Sequence, residues 1–387
     1  MPELKLLAQQ HTEKNKLDSE IFISRYRNLS NSLFLMKVQK KLSVTFLGGS
    51  ITKMSGWRQL VCNYLSSTYP EVQFQFNEVA IPSLGSVAHA FRFERDVLSK
   101  GKTDLLFLES AVNDSGTPEV TQRRALEGIV RRAAESNKDI EIIMMAFADE
   151  NKIRQYNEGK VPLEVGVHQD IAKKYKLPFI NLAEEVARRI FNEEFSWKED
   201  FKNLHPSPFG HQLYFNSIKQ LLEVEYRRPH PSKLVASILP IPADPFNYSH
   251  AGYLSVDSAE GLKGFNKESA WHPSDSVPGR PGFIDVPALT GESPGSTFKL
   301  SFTGRTVGIG FITGPDAGMI AYSIDGGPEK TADIFIKASR ALHLPYYMVL
   351  ADSLPKGKHN ISVKILNTKN PSSKGYACRV AWFLVNK

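Results

Sequence analysis

Cysteine is nearly absent: 387 residues include 2, Cys62 and Cys378. Two thiols so far apart are no disulfide framework. Cys62 falls on the apolar face of an expected helix, and both read as buried free thiols. Long apolar stretches are missing too. Runs such as IIMMAF at 142–147 have the length of a buried strand, far short of the ~18 residues of a membrane span, so no membrane insertion is expected. The opening MPELKLLAQQHTEKNKLDSE lacks the apolar centre of a secretory leader. That leaves two expectations open: a cytoplasmic protein, or a periplasmic or secreted one whose leader was removed. Clustered charge is also lacking. The net +7 is spread along the chain, without the stripe of a nucleic-acid face, so no nucleic-acid partner is expected. It mildly favours an acidic polysaccharide.

What is present falls into two textures. From 43 to 228, short apolar runs (SVTFL, VQFQFNEVA, DLLFLES, IEIIMMAF, PFINLA) alternate with helical patterns. Trp57, Leu60, Val61, Tyr64 and Leu65 lie on one helical face. Strand–helix alternation at this spacing predicts a parallel sheet covered by helices on both faces, a three-layer α/β/α domain. Residues 229–259 are rich in proline and read as a linker or crossing segment. From 260 to 387, short strands are broken by Gly, Pro and Asp. Phe298, Leu300 and Phe302 alternate, and IDGG signals a hairpin. This predicts an all-β sandwich of jelly-roll type. Residues 1–42 form a polar, weakly helical N-terminal segment.

In a parallel α/β sheet, ligands gather at the carboxyl ends of the strands. Gly48-Gly49-Ser50 follows the first run, and IPSLGS, with Gly85, the second. AVNDSG, with Asn113, follows the third, and NLHPSPFGH, with His205, precedes the last helix. A hydroxyl, backbone donors, an amide and an imidazole thus reach one rim from four distant segments. Acyl transfer needs such a set: a nucleophile, oxyanion donors and a base.

These four blocks, FLGGSIT, IPSLGS, ESAVNDSG and NLHPSPFGH, resemble those of the SGNH (GDSL-like) hydrolase superfamily in order and spacing. The resemblance implies Ser50 as nucleophile and His205 as general base. It implies an oxyanion hole from the backbone N–H groups of Ser50 and Gly85 and the amide of Asn113. It requires no cofactor. Two positions depart from the pattern. Gly49 stands where the family has Asp beside the nucleophile. Lys202 stands where an Asp usually precedes the histidine by three. Asp200 is then the candidate to orient His205, the alternative being a backbone carbonyl and a Ser–His dyad.

The competing signals are weaker. His211 is a rival base, but it falls inside the last helix. His168, Asp170, His205 and His211 lack zinc-site spacing, so no metal is expected. GESPG at 291–295 mimics a nucleophile elbow, yet it lies among strands with Pro294 after the serine. Glu109 and Asp114 flank the Asn113 block and read as solvated or structural. The aromatics Trp271, Tyr322, Tyr346, Tyr347 and Trp382 of the sandwich read chiefly as core. An SGNH-like domain joined to a β-sandwich resembles carbohydrate esterases that remove O-acetyl groups, which implies an acetylated carbohydrate or polysaccharide as substrate. The alternatives are a lipase or thioesterase on the same fold, or a carbohydrate-binding protein with an inactive hydrolase domain.

Overall fold

The structure, a computed structural model, describes residues 16–387. The first fifteen residues of the polar N-terminal segment lie outside the described residues.

Six strands build the first sheet: β1 (Ile23–Ser24), β2 (Lys41–Leu47), β3 (Gln73–Glu78), β4 (Leu105–Glu109), β5 (Glu141–Met145) and β6 (Phe179–Ile180). Their order is β1-β6-β5-β4-β2-β3. The pairs β2–β3, β2–β4, β4–β5 and β5–β6 are parallel, while the short β1 runs antiparallel to β6. β4 and β5 are buried along their whole length. That is why they appear in the sequence as unbroken apolar runs rather than alternating ones. Each apolar side chain taken out of water here contributes roughly 1.5–3 kcal/mol.

The chain forms two compact units. Among the described residues, one holds 16–80, 104–115 and 139–236, and with them the parallel sheet; the other holds 81–103, 116–138 and 237–387. The second unit therefore includes the helices Ser86–Asp96 and Glu119–Ser136 as well as the C-terminal strands. These strands are β7 (Ala251–Leu254), β8 (Ala259–Lys263), β9 (Phe265–Trp271), β10 (Val286–Gly291), β11 (Thr297–Gly304), β12 (Thr306–Thr313), β13 (Met319–Ile324), β14 (Lys330–Asp333), β15 (Leu344–Ala351), β16 (Gly357–Ile365) and β17 (Cys378–Asn386). They form two antiparallel sheets, β15-β12-β17-β10-β9, with β7 also on β17, and β14-β13-β16-β11-β8. Phe298, Leu300 and Phe302 of β11 meet Ile309 and Phe311 of β12 and Phe383 of β17 in one shared apolar core.

The proline-rich stretch is tied down at several points, among them the Ser237 N–H on the Lys138 carbonyl and Arg131 on the Pro240 carbonyl. Glu127 accepts the backbone N–H groups of Ala243 and Asp244, and the Tyr248 N–H donates to the Arg124 carbonyl. Gly128 lies so close that a Cβ there would sit 2.4 Å from the Tyr248 backbone. Arg124 reaches Asp244 and Asp352, each at 2.6 Å. Arg95, on the other helix, places its guanidinium 4.9 Å from the Tyr253 ring and 4.8 Å from the Trp382 ring.

Candidate active site

β2 ends at Leu47, and Ser50 opens the single helical turn Ser50–Lys53 three residues later. Gly48 permits this bend to pack. A Cβ at Gly48 would lie 2.3 Å from Thr52 Oγ1 and 3.3 Å from the Glu109 carbonyl oxygen. The turn can press against the end of β4 only with glycine there.

His205 Nε2 lies 2.8 Å from Ser50 Oγ. The histidine is exposed and is set between two tight elements. Before it, a π-helical turn spans Trp197–Phe201, and Lys202 takes a left-handed φ of 85°. After it, the Ser207 side chain caps the helix Pro208–Tyr226 by accepting the Gly210 N–H. The His205 N–H donates to Asn203 Oδ1 at 2.8 Å. Asn203 had no part in the sequence expectation, and its position two residues before the histidine was the available signal.

Asp200 does not join this pair. Its carboxylate accepts the Ser196 N–H at 2.7 Å, closing the π-helical turn on itself. The structure thus shows the Asp200 carboxylate in a local bond to its own turn and gives it no hydrogen bond to His205. No backbone carbonyl takes that place among the described residues. The unit brings together a Ser–His pair.

Asn113 sits on the turn that follows β4. The Asn113 and Asp114 N–H groups both donate to the Ser110 carbonyl, at 3.0 and 3.1 Å. Asn113 is half-buried, whereas Asp114 and Glu109 are buried. Burial pushes the Glu109 carboxyl up to about 7, against the opposing pull of its hydrogen bonds from Val112 and Phe147 and of Lys152. Gly85 lies in the second unit, as the residue that starts the helix Ser86–Asp96. Two residues earlier, Ser83 has a left-handed φ of 70°, and Arg280 donates to its hydroxyl at 3.4 Å.

The other histidines are built into the core. His211 is buried and its Nδ1 accepts the Trp57 N–H at 3.3 Å, and burial lowers its pKa. His168 Nδ1 bonds the Glu164 carbonyl, and burial lowers its pKa to about 4, which keeps the ring neutral. Among the described residues, no three His, Cys, Asp or Glu side chains gather in a way that could hold a metal ion. Ser293 of the GESPG stretch lies between β10 and β11, with no helix after it.

Chemically, an imidazole nitrogen at hydrogen-bond distance from a hydroxyl can take its proton and make the oxygen nucleophilic. Residues 46–213 match the model of the GDSL-like Lipase/Acylhydrolase family. This segment belongs to that family. The acylhydrolase segment makes the chain a carboxylic ester hydrolase. No curated protein matches the sequence. Among solved structures, the acylhydrolase and its β-rich partner together resemble a two-domain esterase (CEX) active on acetylated mannans. The likeness is 19% identity and a TM-score of 0.79, over 96% of this chain and 98% of that one. The same esterase crystallised with mannopentaose gives 19% and 0.78 over the same shares. The likeness shows the fold: an α/β domain with a mostly parallel sheet, followed by an antiparallel β domain. An acetylxylan esterase from Geobacillus stearothermophilus, Axe2, matches over 50% of this chain and 97% of its own, with 18% identity and a TM-score of 0.37.

Proposed function

We propose that the protein is a serine esterase that removes O-acetyl groups from a carbohydrate through an acyl-enzyme on Ser50. The observation that carries this is the 2.8 Å contact between Ser50 Oγ and His205 Nε2. In the first step the Ser50 proton moves to His205 as Oγ bonds the acetyl carbon. The carbonyl becomes an oxyanion held by the Asn113 amide and, as the family resemblance implies, by the N–H groups of Ser50 and Gly85. The tetrahedral adduct collapses, and the departing sugar oxygen takes the proton from His205. Water then repeats the sequence on the acetyl-enzyme and releases acetate. The carbohydrate assignment is supported by the two-domain likeness to an esterase that acts on acetylated mannans. The intact Ser–His contact favours an enzyme over a binding protein with an inactive hydrolase domain.

The test is hydrolysis of p-nitrophenyl acetate and longer acyl esters, then acetate release from acetylated mannan and xylan. Wild type should cleave the acetyl ester best. Ser50→Ala should lower kcat by at least ~10³-fold with the fold intact. Equal rates in the two proteins would remove the nucleophile assignment.

A further inference from the structure

Glu109 ends β4 directly before the turn that carries Asn113, and it is 2% exposed. A buried carboxyl beside a candidate oxyanion donor needs an account, because an unsolvated acid is costly unless it bonds something. Its Oε1 accepts two backbone N–H groups: Val112, at 3.1 Å, and Phe147, at 3.4 Å. Val112 immediately precedes Asn113, and Phe147 lies just beyond the end of β5. One oxygen therefore ties the Asn113 turn to the neighbouring strand of the sheet.

We propose that Glu109 is the positioning residue of the Asn113 turn, fixing the amide for the oxyanion through its bond to the Val112 N–H. This rests on the reading of Asn113 as an oxyanion donor. The turn has its own closure, the two N–H bonds to the Ser110 carbonyl, but these bonds are internal to it. They do not join the turn to the neighbouring strand. The Glu109 bridge makes that join. A donor placed in advance costs no reorganisation when charge develops on the substrate oxygen.

The groups facing the carboxyl suit a bond that tolerates either protonation state. Burial and Asp114 favour its neutral form, while the two N–H donors and Lys152 favour its charged form. Lys152 is itself held by Asp149 at 2.5 Å. Tyr214, stacked on Phe147 and accepting the Ala148 N–H through its hydroxyl, fills the same interior. Oε1 can accept both N–H groups whether or not the other oxygen carries a proton. Glutamine, which keeps one acceptor oxygen, should substitute.

The experiment is steady-state kinetics on an acetyl ester for Glu109→Gln, Glu109→Ala and Glu109→Asp, each alone and with Asn113→Ala. Thermal melting serves as the folding control. Asn113→Ala alone should lower kcat ~10²–10³-fold. Glu109→Ala should lower kcat about tenfold with KM within about twofold, and Glu109→Gln should stay within about threefold of wild type. On the Asn113→Ala background, Glu109→Ala should cost less than about twofold, because the amide it positions is gone. If Glu109→Ala does not fold, Glu109→Asp carries the test. Its shorter carboxylate stays in place but cannot reach both N–H groups, and kcat should fall as for alanine. A loss seen only in KM, an undiminished loss on the Asn113→Ala background, or no loss at all would overturn the proposal. If Asn113→Ala keeps full activity, the oxyanion reading itself fails, whatever Glu109 does.

Discussion

Ser50 and His205 meet through one imidazole nitrogen, and Asp200 spends its carboxylate on the Ser196 N–H. The two side chains therefore carry different predictions. His205→Ala should lower kcat on p-nitrophenyl acetate by ~10³-fold or more. Asp200→Ala should leave kcat within about threefold, with any loss showing as a lower melting temperature of the 196–201 turn. A hundredfold drop in kcat for Asp200→Ala would reinstate it as a partner of the histidine. A second residue, Glu141, predicts how stability follows pH. It accepts the Asn31 and Ser32 N–H groups and the Ser32 hydroxyl, and burial lifts its carboxyl to about 7 from an ordinary 4.5. The fold then binds this proton more tightly than the unfolded chain does. The stability this confers is complete below about pH 4.5 and is lost as pH rises through about 7. Urea midpoints of wild type and Glu141→Gln, compared at pH 5 and pH 8, should show a smaller pH-dependent fall in the variant. Identical slopes would exclude Glu141 as a contributor.

Elements differ in how openly the sequence displays them, and the difference follows their surroundings. β4 and β5 are wrapped in apolar groups, so continuous runs announced them. β11 is buried at alternate positions, so its period of two was plain. β9 escaped notice because the five residues between Phe265 and Trp271 are exposed: a strand with neither an apolar run nor an inward face leaves no pattern. β7 lay hidden in the stretch read as linker, since its strand character comes from pairing with β17, more than a hundred residues away. Ser50 and His205, which the structure brings within 2.8 Å, lie in two of the four spaced blocks. The bond of Asp200 to the Ser196 N–H was not legible, because a contact within one turn leaves no mark on composition. The burial of Glu109 and Asp114 was missed for a related reason: acidic residues at a strand end ordinarily face water. Packing at the element scale gives a further prediction. A Cβ at Gly56 would meet the buried His211 ring at 2.3 Å. Gly56→Ala should lower stability by about 1–3 kcal/mol, read from the urea midpoint. A neutral result would show that the ring yields.

At the scale of the whole molecule, the acylhydrolase match and the compact units do not coincide. The match runs over 46–213, while the helices Ser86–Asp96 and Glu119–Ser136 within it belong to the unit that holds the antiparallel sheets. On these helices Arg124 takes its ionic partners, and Arg95 its ring partners, from residues 244–382. A chain cut after residue 236 should therefore yield an inactive, aggregation-prone product, although it keeps Ser50, Asn113 and His205. Circular dichroism and esterase assay of that fragment check this, and a soluble fragment with wild-type kcat would refute it.

The bond from Arg124 to Asp352 spans 228 positions in the chain, and this span sets a timetable for synthesis. At the ~5–20 residues per second of translation, the helix leaves the ribosome on the order of 10 to 50 seconds before its last partner exists. Over the later part of that interval Arg124 has its Asp244 partner but lacks Asp352. Rare codons between the two positions would lengthen the wait for this bond, whereas the same codons before residue 124 would not.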